Sequence, residues 1–210
     1  WRQPLTAISA ASENLKLKLI LNQVDNELIQ DTTEDINKYT KYLSNTINDF
    51  KNFYKTNKSR ETTNLDEMAE KSLNIIEDSI TYKNIKIIKN FNSRSDIKTY
   101  MNEVTQVILT LLQNAEDILL EKQTQNPYIK INTFEDDEYL YLQVIDNGGG
   151  IPQDILDKIF DPYFSTKHEK NGSGLGLYFA KSIIENNCDA LLTVENNQDE
   201  AVFTIRLKKE

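Results

Sequence analysis

All six glycines of this 210-residue chain lie between residues 148 and 176, in two clusters. Asp146-Asn147-Gly148-Gly149-Gly150 follows a strand-like run. Gly172-Ser173-Gly174-Leu175-Gly176-Leu177 leads into an apolar helical pattern. Glycine tolerates positive φ and lets backbone approach a ligand closely. A helix N-terminus offers unpaired N–H donors and the positive end of the helix dipole, so the second cluster could receive a phosphate. Taken singly, each cluster is equally an ordinary glycine turn or helix start. The second is neither a Walker loop nor a dinucleotide fingerprint, because no Lys-Ser/Thr follows and no strand leads straight into it.

A third candidate sits on a strongly apolar helical stretch, Leu111-Leu112-Gln113-Asn114-Ala115-Glu116-Asp117. Asn114 is a neutral oxygen donor among apolar neighbours; it is either a core amide bonded to backbone or a ligand to something bound. Phe160 and Phe164 punctuate "IFDPYFSTK", and the polar run "STKHEKNGS" follows. That run contains His168, the single histidine, which reads as a solvated loop residue.

Two blocks position these residues. Residues 1–56 lack glycine, and Pro4 is their only proline. Apolar residues recur there every three or four positions, at Leu5, Ile8, Ala11, Leu15 and Leu19, then at Ile36, Tyr39, Leu43, Ile47, Phe50 and Tyr54. This is helical spacing and predicts an antiparallel helical hairpin, with Asp31 or Thr32 as the second helix's N-cap. Pro4 is expected to bend the first helix. The apolar stripe cannot be buried by two helices alone, so a four-helix bundle formed on dimerisation is expected. Residues 57–64 read as a polar linker. From 65 to 210, helical patterns at 65–80, 102–122 and 175–187 alternate with strand patterns at 85–91, 96–101, 128–135, 139–146, 190–196 and 201–207. The fold class is α+β, with helices layered on a mainly antiparallel sheet.

Composition sets outer limits. At 39% hydrophobic the chain is globular, and no apolar run reaches the length of a membrane span. The lone Cys188 cannot make an internal disulfide, which fits a reducing compartment. A net charge of -9 argues against a nucleic-acid partner but not against a phosphorylated nucleotide held by backbone N–H groups and a cation. Trp1-Arg2-Gln3-Pro4-Leu5 reads as the inside of a longer chain.

The three motifs and the two phenylalanines occur in the order and spacing of the N, G1, F and G2 boxes. In this the whole chain resembles the dimerisation and ATP-binding core of sensor histidine kinases, within the GHKL (Bergerat) superfamily. The resemblance implies an α/β sandwich ATP-binding domain with a mixed, mainly antiparallel sheet after the hairpin. It implies ATP and Mg²⁺ as ligands. Asp146 would accept the adenine amino group, and Gly148 and Gly150 would let backbone approach the nucleotide. Asn114 would coordinate Mg²⁺, with Asp117 facing the same site. Residues 160–173 would form a lid with Phe164 as latch and Lys167 as a phosphate contact. Gly172, Gly174, Leu175, Gly176 and Leu177 would supply amides to the triphosphate. "WRQPLTAIS" looks like the tail of an H-box, whose phosphoacceptor histidine would stand two residues before Trp1. The fragment by itself is therefore not expected to autophosphorylate. Gln3, four residues after that histidine, would orient water for dephosphorylation, or else is a helix-surface residue.

The implied activity is protein-histidine kinase: the γ-phosphoryl passes to histidine and then to an Asp of a response regulator receiver domain. The implied setting is a cytoplasmic homodimer that meets a membrane only through upstream segments. Two departures leave open a degenerate nucleotide-binding regulatory module working through protein interaction. Thr110 stands one turn before Asn114, where water-activating relatives carry a general-base Glu; this disfavours hydrolysis. Ala201 stands where the family's last hairpin carries the Thr that helps bridge water to adenine.

Overall fold

The computed structural model describes residues 2–54, 59–166 and 174–209, without the side chains of residues 2, 3, 42, 45, 46 and 48–54. The chain forms two compact units, one of Trp1–Lys55 with Asp161–Gly176, the other of Thr56–Phe160 with Leu177–Glu210.

The first unit is built on a helical hairpin, α1 (Arg2–Ile20) and α2 (Asn26–Tyr54). α2 starts earlier than the spacing predicts. Its first-turn N–H of Leu28 donates to the Asp25 carboxylate at 2.7 Å, so Asp25, and not Asp31 or Thr32, caps it. The polar run after Asp25 is helical because a helix facing solvent needs no apolar residue on that side. Thr33 and Thr40 return their hydroxyls to the carbonyls of Ile29 and Ile36. With 29 residues, α2 is about 44 Å long. Pro4 lies in the first turn of α1, where the missing N–H costs no helical bond; α1 is a single helix from Arg2 to Ile20.

The second unit carries two sheets. β1 (Glu61–Thr63), within the stretch read as linker, pairs antiparallel with β3 (Ile97–Thr99). The larger sheet has five strands in the order β2-β4-β5-β7-β6, namely β2 (Lys86–Phe91), β4 (Tyr128–Glu135), β5 (Tyr139–Asp146), β6 (Ala190–Asn197) and β7 (Glu200–Lys208). The β2–β4 pairing is parallel and the others antiparallel, so the sheet is mixed as expected.

Register decides what faces the core. Ile129, Asp146 and Ala201 lie in one cross-strand row, and Ile131, Val144 and Phe203 in the next. Between them, on the opposite face, lies the row Lys130, Ile145 and Val202, followed there by the polar row Asn132, Gln143 and Thr204, as the two-residue strand period requires. The inner face is covered by α3 (Leu65–Tyr82) and α4 (Met101–Glu121). α3 is capped by Asn64, whose side chain accepts the Glu67 N–H at 2.9 Å. α4 drives Val104, Val107, Ile108, Leu111, Leu112 and Leu119 into the core. The two helices are also tied by Lys83, which meets the buried Glu116 carboxylate at 2.7 Å. The outer face carries a side-chain ladder in which Asn90 donates to Asn132, Asn132 to Gln143 and Gln143 to Thr204. α5 (Gly176–Asn187) completes the elements and buries Ala180, Ile183 and Ile184.

Leu112 is 0% exposed in the α4 core. Leu112→Ala is expected to cost about 3 kcal/mol in urea unfolding. A loss under about 1 kcal/mol would contradict a core in which α4 packs through Leu112.

Candidate functional site

β5 ends on Asp146, only 4% exposed. Burial pushes its carboxyl up to about 6, against the opposing pull of the Gly148 N–H and the Lys122 cation; Glu200 adds a smaller upward push. One oxygen, Oδ1, accepts the Gly148 N–H at 2.9 Å. The neighbouring position across β7 is Ala201, itself 4% exposed, which offers no hydroxyl. Glu200 is occupied elsewhere: Tyr128 donates its phenol to it, with the phenol pKa raised to about 12, and Lys130 lies 3.1 Å away.

The three glycines that follow Asn147 are constrained by crowding at Gly148 and by backbone conformation at Gly149 and Gly150. A Cβ on Gly148 would stand 2.8 Å from Asp146 Oδ1 and 3.0 Å from Ile118 Cγ2. Gly149 and Gly150 take φ of 83° and 66°, the left-handed region that favours glycine. Their backbone is held from several sides. Lys122 Nζ donates to Gly148 O at 2.6 Å, Gly149 N–H donates to Asp199 O at 2.9 Å, and Asn196 both accepts from Ile151 N–H (2.9 Å) and donates to Ile151 O (2.7 Å). Asn147 pins the loop to the start of β4 by accepting the Tyr128 N–H at 2.8 Å.

α4 presents a stripe to this loop. Asn114, Ile118 and Lys122 follow one another at four-residue spacing, which puts them on one helix face. Ile118 abuts Gly148 and Lys122 reaches the loop carbonyls. Asn114 is half-buried one turn before Ile118, and Asp117, one turn after Asn114, is exposed. Thr110 spends its hydroxyl on the Gln106 carbonyl at 3.1 Å, so it adds no base to this stripe.

Several expected site residues belong to the other unit. There, Tyr163 N–H donates to Gly174 O at 2.9 Å. Gly174 has φ of 65°, and a Cβ on it would lie 2.5 Å from the Tyr163 carbonyl carbon. The glycine is thus required by close backbone packing against Tyr163 and Phe164. Phe164 is half-buried and Leu175 buried; Gly176 opens α5 and Leu177 follows it. Phe160 belongs to the second unit, where it packs edge-on to Phe203, with Lys181 Nζ 4.7 Å from its ring centroid. Lys167, His168 and Gly172 lie outside the described residues, as does the side chain of Gln3.

Within the second unit, then, the chain brings together Asp146, Gly148 and Gly150 and sets Asn114 and Asp117 on the helix that flanks them. Lys122, Asn196 and Asp199 also hold this loop, and motif reading passed over them. Lys122 was recoverable, because it continues the stripe from Asn114 at eight residues. Nothing in the strand pattern singles out Asn196.

A profile of the histidine kinase-, DNA gyrase B- and HSP90-like ATPases matches residues 100–210. The chain is similar to a sensor histidine kinase NtrY-like protein of Rickettsia bellii, 27% identical over 212 residues, covering 100% of this chain and 34% of that protein. It is 28% identical to the sensor histidine kinase ZraS of Salmonella typhimurium, over 98% of this chain and 43% of that one. It thus spans well under half the length of these relatives. Among solved structures, histidine kinase ThkA in complex with response regulator TrrA superposes with a TM-score of 0.73 at 25% identity, over 100% of this chain and 58% of that one. The chain belongs to the histidine kinase-, DNA gyrase B- and HSP90-like ATPase family.

Proposed function

We propose that the chain is the catalytic core of a sensor histidine kinase, which binds ATP with Mg²⁺ and passes the γ-phosphoryl to a histidine upstream of Trp1, then to an Asp of a response regulator. The observation that carries this is a buried carboxylate, Asp146, at the mouth of a glycine loop, crowded at Gly148 and left-handed at Gly149 and Gly150, that is flanked by a helix bearing Asn114 and Asp117. In this reading Asp146 accepts the adenine amino group, a bond strengthened by low dielectric and used for base selection. Gly148 and Gly150 let backbone approach the base and sugar.

Asn114 and Asp117 offer an amide and a carboxylate oxygen on successive turns. Among the described residues no group of three or more His, Cys, Asp and Glu could hold a metal. That donor set suits Mg²⁺ arriving with a triphosphate, whose oxygens and water complete the shell. When bound, the ion neutralises charge developing on the phosphoryl group. Phe164, Lys167, Gly172, Gly174, Leu175, Gly176 and Leu177 take the lid and triphosphate roles, an assignment resting on their sequence pattern. Gln3 is assigned the water-orienting role in dephosphorylation.

Partner and setting follow the same reading. Leu17, Leu19, Ile20, Leu21 and Ile29 are 43–68% exposed around the α1–α2 turn. An apolar surface of this kind suits a second copy and a four-helix bundle. ThkA was solved with a response regulator, which supports such a partner here. No helix among the described residues is long and apolar enough to cross a membrane; the core is assigned to the cytoplasm, with any anchor in upstream segments. The domains follow as 1–56 for dimerisation and phosphotransfer, 57–64 as linker and 65–210 for ATP binding.

Ala201 and Thr110 favour a second reading, a degenerate nucleotide-binding module that acts through protein contacts. Calorimetry with a non-hydrolysable ATP analogue and Mg²⁺, set beside label uptake by the upstream-extended chain, separates the two, since binding without phosphotransfer supports the module.

Three outcomes are expected. Extended upstream to include the histidine, the protein takes up label from γ-labelled ATP, and the same chain with that histidine changed to Ala does not. No label in either chain, alone or mixed, would refute the kinase reading.

The second concerns pH. The Asp146 carboxyl is raised from 3.8 to about 6, so the buried acid favours folding when neutral. Stability of the ligand-free chain therefore falls as pH rises through that window, by on the order of 3 kcal/mol above it. Asp146→Asn is expected to raise the thermal midpoint of the ligand-free chain at neutral pH and to weaken ATP binding. Wild-type affinity should drop as pH falls below about 6. An affinity flat from pH 5 to 8 would contradict this assignment of Asp146.

Third, Ala201→Thr places a hydroxyl beside Asp146 and should tighten ATP binding by about threefold to tenfold in calorimetry. Unchanged or weaker binding would show that this position does not touch the nucleotide's water network.

A further inference from the structure

We infer that Lys122 and Asn196 are positioning residues for Asp146: gripping the glycine loop 148–151 from its two sides, they fix where the buried carboxylate points. The inference deepens the nucleotide reading above and rests on it for the meaning of that direction.

Three consecutive glycines have more conformations to lose than any other tripeptide, so a loop of this composition does not hold one geometry by itself. Here several of its backbone groups are met by side chains of other elements. From α4, Lys122 Nζ stands 2.6 Å from Gly148 O and 3.5 Å from Gly150 O, bridging two carbonyls with one cation. From the β6–β7 hairpin, Asn196 pairs with both the N–H and the C=O of Ile151, much as a neighbouring strand would. A Cβ on Gly150 would come within 3.0 Å of Asn196 Oδ1, so the clamp and the glycine are matched. The loop in turn sets Asp146, whose Oδ1 takes the Gly148 N–H at 2.9 Å.

The charges facing Asp146 follow this arrangement. Lys122 from α4 favours the carboxylate, Glu200 from β7 opposes it, and the Gly148 N–H favours it. β4 presents the apolar Ile129 across from it. Of these groups Lys122 is the cation. It acts on the carboxylate while holding the loop, and neither function needs it to touch the nucleotide.

The test reads the carboxylate directly. Carbon-13 NMR titration of the ligand-free chain, with Asp146 assigned by its loss in Asp146→Asn, is run on wild type, Lys122→Met, Lys122→Arg and Asn196→Ala. Amide exchange at Ile151 and the Kd for a non-hydrolysable ATP analogue with Mg²⁺ are measured alongside. Wild type is expected to titrate near 6, Lys122→Met at higher pH, and Lys122→Arg close to wild type. Asn196→Ala should expose the Ile151 amide to exchange and weaken analogue binding by about tenfold. A Lys122→Met midpoint equal to wild type, or an Asn196→Ala chain that keeps both Ile151 protection and affinity, would overturn the inference. Wild type binding no nucleotide would instead refute the kinase reading, while the ligand-free titrations still decide this one.

Discussion

A carboxylate held in a low-dielectric strand end is the constraint around which the second unit is organised. Asp146 shares its face of the sheet with Ile129, Val144 and Ala201, positions that ordinarily hold core side chains. An acid there is disfavoured as an ion, and its pKa is displaced upward accordingly. Such a cost persists where a ligand donor later offsets it, which is why perturbed acids gather at functional sites.

The rest of the architecture serves that placement. α4 is apolar on the side that packs on β4 and β5, yet its Asn114–Ile118–Lys122 stripe turns toward the glycine loop. The β6–β7 hairpin contributes Asn196 and Asp199 from one end, while its strands supply Leu192, Phe203 and Ile205 to the core. The same elements that make the hydrophobic layer thus set the polar loop, and the loop's geometry inherits their rigidity. The outer face of the sheet meets its polar demands by other means, through the Asn90–Asn132–Gln143–Thr204 ladder.

What could be read from the residues alone was the chemistry that concentrates rare types. Six glycines in one window, an acid at a strand end and an amide in an apolar helix are local signals, and their order carried the family resemblance. The alternating and helical patterns also located the helices and the four antiparallel strands of the sheet. Features set by three-dimensional register stayed hidden. The parallel pairing of β2 with β4 cannot be seen in either strand's pattern. β1 is three polar residues long and is a strand only because β3 lies beside it. Asp25 outcompetes Asp31 as cap because a polar segment facing solvent can be helical. Lys122 resembled any solvated lysine, and Asn196 any turn residue, until their partners were known.

In the proposed function Asp146 selects the base. An acceptor at that point pairs with an amino group, which adenine presents there and guanine replaces with a carbonyl oxygen. Displacement of a fluorescent ATP analogue by ATP and by GTP, each with Mg²⁺ at neutral pH, measures this directly. If Asp146 selects adenine, ATP displaces the probe and GTP needs at least about a hundredfold higher concentration. Equal displacement by the two nucleotides would contradict it.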